Sequence, residues 1–153
     1  MEGWKEVTGD VDVRFASHPR WLQLARTVVE ECCSGFEIAP SSVRDLVIAV
    51  GEAVSNVMRH GYGGDRTRPV RVLCRCDGGA VEVEVWDRGC RFDPIAQPVP
   101  PLDRRSRGGR GLYLIRSTVD EVKYTREEGW NRLRLRKRLP IAAVAGERGL
   151  RVP

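Results

Sequence analysis

Three segments of this chain alternate apolar and charged residues with a period of two, and they constrain the fold more than any other feature. Residues 70–76 read VRVLCRC, residues 80–86 read AVEVEVW, and residues 129–139 read GWNRLRLRKRL. Successive side chains of a β-strand point to opposite sheet faces, so each segment predicts a strand with one apolar and one charged face. If these strands are neighbours, the glutamates of one offset the arginines of the others through cross-strand pairs.

Helical periodicity predicts a layer that packs on this sheet. A first helix is expected over 19–33, with Gly35 ending it. A second helix follows Pro40, and a shorter third helix is expected over 109–119. The second helix carries an apolar stripe with the spacing of a core-facing surface: Val43, Leu46, Val47, Val50, Val54 and Val57.

The second helix also carries two polar features. Ser42 with Asp45 three residues later has the pattern of a capping box, which predicts the N-terminus of the helix. A rotation of about 100° per residue places Glu52 and Asn56 on the side opposite the apolar stripe. These two residues are an adjacent i, i+4 pair on that side.

A first strand at 10–16 and final strands at 121–126 and 130–139 complete the element order. This order predicts an α+β two-layer sandwich, with a mixed, mostly antiparallel sheet and helices on one face. Residues 88–107 contain four prolines and no periodicity, so we expect a long loop or lid there. The tail 141–153 has no partner element and is expected to be mobile.

Composition limits the class of protein. A length of 153 residues with 41% hydrophobic content suits one domain, assigned to residues 1–140. No apolar run approaches the roughly 20 residues of a membrane helix, and the N-terminus lacks a signal-peptide pattern, so we expect a cytoplasmic protein without a membrane partner. The five cysteines match neither a disulfide framework nor a zinc pattern. We interpret Cys74 and Cys76 as reduced core residues, with a redox or metal role as the alternative.

A net charge of +5 raises the question of nucleic-acid binding. The arginines, however, alternate with apolar residues on strands that include a glutamate-rich neighbour. No aromatic stacking platform accompanies them. We therefore expect no direct nucleic-acid binding.

Three short stretches carry the candidate functional residues. Residues 52–62 (EAVSNVMRHGY) offer a carboxylate and a carboxamide one helical turn apart, and residues 87–94 (DRGCRFDP) place a carboxylate beside a glycine at a strand end. Residues 107–115 (RGGRGLYLI) are a glycine cluster that opens a helix, where backbone N–H groups can meet phosphate oxygens. Each stretch alone is more often a solvated helix face, a turn or an ordinary helix start. Together and in this order they predict an ATP site.

The three stretches resemble the motifs of the GHKL ATP-binding fold, which histidine kinases, gyrase and MutL share. GEAVSNVMRHGY resembles the N box, WDRGCRFDP the first glycine box, and RSRGGRGLYLIRSTVDEVKY the second glycine box with its following strand. GWNRLRLRKRL resembles the terminal strand of that fold. Within the fold, the chain is most similar to the bacterial anti-sigma-factor serine kinases, and the resemblance covers residues 10–139.

The resemblance implies ATP and Mg²⁺ as cofactors and assigns roles to the motif residues. Asn56 would be a Mg²⁺ ligand, and Glu52 would orient the attacking hydroxyl as the catalytic residue. Asp87 would accept a hydrogen bond from the adenine amino group, with Gly89 allowing the base close to the backbone. The remaining nucleotide contacts would come from Arg107, Gly108, Gly109, Arg110, Gly111 and Leu112.

The resemblance also implies partners. In that family the kinase phosphorylates a serine on a small STAS-type anti-anti-sigma protein and binds a sigma factor, usually as a homodimer. A nucleotide-gated protein-binding regulator without phosphotransfer is the alternative. A detached histidine-kinase catalytic domain is a third interpretation, disfavoured because no dimerisation helix pair with a phosphoacceptor histidine is visible. His60 is interpreted as a helix-end residue beside the site.

Two residues depart from the family pattern. Arg91 stands where the first glycine box usually has its second glycine, so the turn must avoid positive φ or be strained. This substitution puts nucleotide affinity in question. Asn131 falls near a position where family members often carry a small hydroxylic residue after glycine.

Overall fold

The computed structural model describes residues 11–77, 79–96 and 110–139. Within them, five strands form one sheet whose inner face packs against three α-helices. The strands are β1 (Val11–Ala16), β2 (Pro69–Cys76), β3 (Ala80–Asp87), β4 (Glu121–Glu127) and β5 (Trp130–Arg138), and the helices are α1 (Leu22–Ser34), α2 (Pro40–Asn56) and α3 (Arg110–Thr118).

The sheet has the strand order β1-β2-β3-β5-β4, and all four of these pairings are antiparallel. β2 and β3 form a hairpin, in which the Asp77 carboxylate accepts hydrogen bonds from the backbone N–H groups of Gly79 and Ala80. β4 and β5 are joined through Glu128 and Gly129, whose φ angles of 52° and 81° fit a two-residue hairpin turn. The predicted α+β two-layer sandwich is confirmed.

The core lies between the sheet and the helices. α2 occupies the middle of the helix layer, in contact with α1 on one side and α3 on the other. Cys74 and Cys76 face this core together with valines of β2 and β3, which confirms their structural role. Burial raises the pKa of the neighbouring Cys33 thiol to about 12, so this thiol stays protonated at neutral pH.

The outer face of the sheet carries the predicted cross-strand charge pairs. Glu84 of β3 pairs with Arg132 of β5. Glu82 lies 3.8 Å from Arg134 Nε and 3.5 Å from Arg136 Nη1. The predicted compensation between glutamate and arginine strands is therefore confirmed, and much of the positive charge is offset within the sheet.

The predicted capping box is wrong. α2 begins at Pro40 with Ala39 at the N-cap, and no side chain caps it. Ser42 is buried, and Asp45 Oδ2 accepts a hydrogen bond from Lys137 Nζ at 3.0 Å. The fixed φ of proline starts the helix two residues before the serine, because proline suits the first helical position.

The other boundaries agree with the sequence prediction to within a few residues. The first helix opens with a 3₁₀ turn at Pro19–Trp21 and has Gly35 at its C-cap, as expected. Among the described residues, no helix has the length and apolar character needed to cross a bilayer. Most of the expected lid and all of the tail 141–153 lie outside the described residues.

Candidate nucleotide-binding site

A cavity lies between the C-terminal end of α2, the end of β3 and the β4–β5 hairpin. Two of the predicted site residues, Asn56 and Asp87, line it and are 7% and 6% exposed. The other lining residues are Ala53, Val57, Gly61, Cys90, Phe92, Pro94, Tyr124, Asn131 and Leu133. The first two motifs of the sequence therefore meet at one cavity.

Asn56 is the last residue of α2, and its amide faces the cavity. The amide makes no hydrogen bond within the described part of the chain. Because no hydrogen bond within the described residues occupies this amide, it is available to a ligand that enters the cavity. Its carbonyl oxygen is a ligand of the type that Mg²⁺ prefers.

Glu52 lies one turn before Asn56 on α2, where α3 packs over it. A Cβ added to Gly111 of α3 would lie 2.6 Å from Glu52 Oε2 and 3.8 Å from Asn56 Oδ1. The third motif therefore packs directly on the first, and the side of α2 opposite the apolar stripe faces another helix. The absence of a side chain at Gly111 leaves room for the Glu52 carboxylate.

Asp87 ends β3 with one carboxylate oxygen occupied and the other available. Oδ1 accepts hydrogen bonds from Asn131 Nδ2 at 2.9 Å and from the backbone N–H of Gly89 at 2.8 Å. Oδ2 has no hydrogen-bond partner among the residues that the structure describes. Burial raises the pKa of Asp87, and the donors of Asn131 and Gly89 and the charge of Arg126 oppose this shift.

The structure gives Gly89 a different role from the one expected. A Cβ at this position would lie 2.3 Å from the carbonyl oxygen of Gly61. The next residue, Cys90, donates its backbone N–H to the same oxygen at 2.8 Å. Glycine is therefore required here for a close approach of two backbone segments, and the expected approach of the base stays a prediction.

α2 continues into a π-helical turn at Val57–Gly61, where the apolar periodicity predicted an ordinary α-helix. Tyr62 donates its backbone N–H to the Val57 carbonyl at 2.8 Å, a spacing of five residues. His60 lies at the end of this turn, as expected, and stacks on Phe92 with ring centroids 4.9 Å apart. The turn brings the Gly61 carbonyl to the rim of the cavity.

Sequence reasoning missed the functional importance of the β4–β5 hairpin. Asn131, noted only as a departure from the family pattern, pairs with Asp87 in the β3–β5 register. Tyr124 and Arg126 of β4 donate hydrogen bonds to the Asn131 side chain at 2.5 and 2.8 Å. Pairing the glutamates of residues 80–86 with the arginines of residues 129–139 in the observed register places Asn131 opposite Asp87.

The backbone of Arg91 does not adopt the positive φ that a second glycine would allow. In the described part of the chain, Glu128 is the one non-glycine residue with positive φ, so Arg91 avoids that region. Its guanidinium lies 5.9 Å from the centroid of the Tyr124 ring. The turn therefore needs no second glycine.

Several predicted phosphate contacts lie outside the cavity or outside the described residues. Arg107, Gly108 and Gly109 precede α3 and are not described. Arg110 and Leu112 belong to the first turn of α3, and neither lines the cavity. Their contact with a nucleotide stays a prediction.

Comparisons with known proteins agree with this fold. Residues 15–137 match the family model of the histidine kinase-like ATPase domain. The chain is 26% identical over 127 residues to serine-protein kinase RsbW of Oceanobacillus iheyensis, an alignment covering 78% of this chain and 80% of that protein. It is 28% identical over 128 residues to serine-protein kinase RsbW of Bacillus subtilis, with coverage of 78% and 79%.

Solved structures show the same fold. The structure of the RsbU and RsbW domains of a Mycobacterium tuberculosis protein has a TM-score of 0.61 at 20% identity, covering 84% of this chain and 31% of that one. The histidine kinase domain of a blue-light activated histidine kinase from Erythrobacter litoralis has a TM-score of 0.53 at 15% identity, with coverage of 95% and 71%. This chain belongs to the histidine kinase-like ATPase domain family.

Proposed function

We propose that this protein is an ATP- and Mg²⁺-dependent serine protein kinase that also acts as an anti-sigma-type regulator. The observation that carries the proposal is the meeting of three motifs. Asn56 and Asp87 present unpaired polar atoms to one cavity, and Gly111 packs on Glu52 one turn away. The serine-protein kinases named above, similar over most of their length, support the activity.

Each cavity residue has a role that its contacts allow. Asp87 Oδ2 accepts a hydrogen bond from the 6-amino group of adenine, because Oδ1 is already occupied. Asn56 Oδ1 would be the protein ligand of Mg²⁺, a cation that usually keeps water and phosphate oxygens in its shell. In the described part of the chain no three His, Cys, Asp or Glu side chains form a metal cluster, so phosphate and water would supply the other ligands.

Glu52 acts on the nucleophile. Its carboxylate accepts the hydrogen bond of a partner serine hydroxyl and receives the proton as the hydroxyl oxygen bonds to the γ-phosphorus. The bond between that phosphorus and the bridging oxygen breaks, and ADP leaves with the electron pair. Arg107, Gly108, Gly109, Arg110, Gly111 and Leu112 contact the phosphates in this proposal, at a helix start suited to anions.

The partners proposed are a STAS-type anti-anti-sigma protein, which carries the phosphorylated serine, and a sigma factor. The working unit is a cytoplasmic homodimer, and residues 88–107 form a lid over the nucleotide. The support for these points is the resemblance to the anti-sigma serine kinases. The alternative, a nucleotide-gated binder without phosphotransfer, predicts partner capture with no labelled product.

The test of catalysis is Glu52→Gln. Transfer of label from γ-labelled ATP to a purified STAS-domain protein of the same organism should fall by roughly 10²- to 10⁴-fold, the usual effect of a positioned acid or base. ATP binding should be retained. Glu31→Gln on the exposed side of α1 is the matched control and should transfer at the wild-type rate. Wild-type transfer in Glu52→Gln would refute the role of Glu52.

The test of the nucleotide site uses two other variants. Calorimetry should show that Asp87→Asn weakens ATP binding with or without Mg²⁺, because its effect is on the base. Asn56→Ala should weaken binding mainly when Mg²⁺ is present. Unchanged affinity in both variants would exclude this cavity as the ATP site.

A further inference from the structure

The side chain of Asn131 lies at the centre of a hydrogen-bond network in the wall of the cavity. Asn131 is 2% exposed and lies opposite Asp87 in the β3–β5 register. Its Nδ2 donates to Asp87 Oδ1 at 2.9 Å and to the carbonyl oxygens of Gly89 and Cys90 at 3.0 and 3.4 Å. One amide thus contacts both the carboxylate and the backbone turn that follows it.

The opposite end of the amide is fixed by two donors from β4. Asn131 Oδ1 accepts a hydrogen bond from the Tyr124 hydroxyl at 2.5 Å and from Arg126 Nη1 at 2.8 Å. Rotating the amide by half a turn would place its oxygen against the Asp87 carboxylate and its N–H groups against two donors. Tyr124 and Arg126 therefore fix which end of Asn131 faces Asp87.

This fixed amide determines how Asp87 is presented. Because Oδ1 accepts from Asn131 Nδ2 and from the Gly89 N–H, the carboxylate cannot rotate without losing two hydrogen bonds. Oδ2 is left as the acceptor for a ligand in the cavity. A hydroxyl side chain at position 131 has one donor that rotates to suit its surroundings, so it would not be fixed in the same way.

The same network supports the turn that lacks a second glycine. Arg126 Nη1 donates to the Gly89 carbonyl at 3.0 Å, and Asn131 Nδ2 donates to the Gly89 and Cys90 carbonyls. The backbone before Arg91 is therefore held from the β4–β5 hairpin.

We propose that Asn131, oriented by Tyr124 and Arg126, is a positioning residue that sets the preference of this pocket for purines with a 6-amino group. The inference rests on the proposed ATP site. It adds a specificity element on the β4–β5 hairpin that acts through Asp87.

The experiment compares ATP with purine riboside triphosphate, which lacks the 6-amino group. A hydrogen bond to a charged group is worth about 10- to 150-fold in affinity, so the wild-type protein should prefer ATP by a factor in this range. In Asn131→Leu, which removes the polar atoms of the amide and keeps the branching at Cγ, the preference should fall at least fivefold, mainly through weaker ATP binding. Asn131→Thr, which keeps one donor, should recover part of it.

Two further measurements separate positioning from general damage. Tyr124→Phe removes one hydroxyl and keeps the ring, and its preference for ATP should also decline. This variant tests the network if Asn131→Leu does not fold. Thr125→Val on the outer face of β4 is the control and should leave the preference unchanged.

The acid side of the ATP-binding profile is the third readout. Loss of the Asn131 donor should move the acid side of this profile to higher pH, because the pKa of Asp87 would rise further. The other groups that face Asp87, which are Tyr62, Tyr124 and Arg126, would remain in this variant.

The outcomes are distinct. An unchanged ATP preference in folded Asn131→Leu and in Tyr124→Phe overturns the inference and leaves the ATP site intact. A wild-type protein that binds neither nucleotide overturns the proposed function itself. A wild-type preference for ATP that declines in both variants, with Thr125→Val unaffected, supports both.

Discussion

Replacing Gly111 with alanine should displace the Glu52 carboxylate and slow phosphotransfer without weakening the fold. The added Cβ would lie 2.6 Å from Glu52 Oε2, whereas ordinary contacts begin at 3.4 Å. Because that oxygen is at the end of a flexible side chain, the carboxylate should withdraw by about 0.8 Å, and a misplacement of this order costs up to about 10²-fold in rate. We expect transfer to fall about 10- to 100-fold.

Gly51→Ala is the matched control for this variant. Gly51 also lies in a helix, and its added Cβ would lie 2.8 Å from Arg26 Nε, again the end of a flexible side chain. Alanine is favoured over glycine inside a helix by about 1 kcal/mol, so neither variant should lose thermal stability. Gly51→Ala should therefore transfer phosphate normally.

The assay measures the single-turnover rate of label transfer together with the ATP dissociation constant. Normal ATP binding with slow transfer in Gly111→Ala would place the effect at the nucleophile. A transfer rate within about twofold of wild type would refute the argument that a misplaced Glu52 is costly.

Three other changes test separate parts of the structure. Burial raises the folded-state pKa of Asp87, so the contribution of this residue to stability is greatest below the unfolded pKa and is lost as pH rises through the folded pKa. Asp87→Asn should therefore raise the Tm of the nucleotide-free protein at pH 8 but not at pH 3. An equal change in Tm at both pH values would contradict this. Ile115→Ala, at the fully buried contact of α3, should lower the free energy of unfolding by about 2–5 kcal/mol in a urea titration, and a loss below about 1 kcal/mol would show that α3 is not docked as described. Gly89→Ala should lower both Tm and ATP affinity, because its Cβ would meet the Gly61 backbone oxygen at 2.3 Å; wild-type values would show that the two segments can separate freely.

The sheet could be predicted from the sequence because its signal is local. Alternation in residues 80–86 identifies both faces of β3 without knowledge of its neighbours, and the charges of adjacent strands then indicate the pairing. The start of α2 was not predictable in the same way. Ser42 and Asp45 match a local capping pattern, but Asp45 binds Lys137, a residue distant in the chain.

For the candidate site too, the local features were predictable from the sequence and the long-range contacts were not. Order and spacing of the motifs selected Glu52, Asn56 and Asp87 as candidates. The fold brings these residues to one region, and their roles stay predictions. The requirement for Gly89 and the network of Asn131 were not predictable, because each depends on a contact between segments that are far apart in sequence: the backbone of Gly61 in one case and the register of β5 in the other.

The π-helical turn at Val57–Gly61 limits how the length of this chain can vary. A π turn holds one residue more than an α turn, and removing it would rotate the following backbone by about 100° and shorten the helix by about 1.5 Å. The Gly61 carbonyl would then no longer meet the backbone N–H of Cys90. Single-residue deletions should therefore be harmful across 57–61, which a deletion scan that measures ATP binding would reveal.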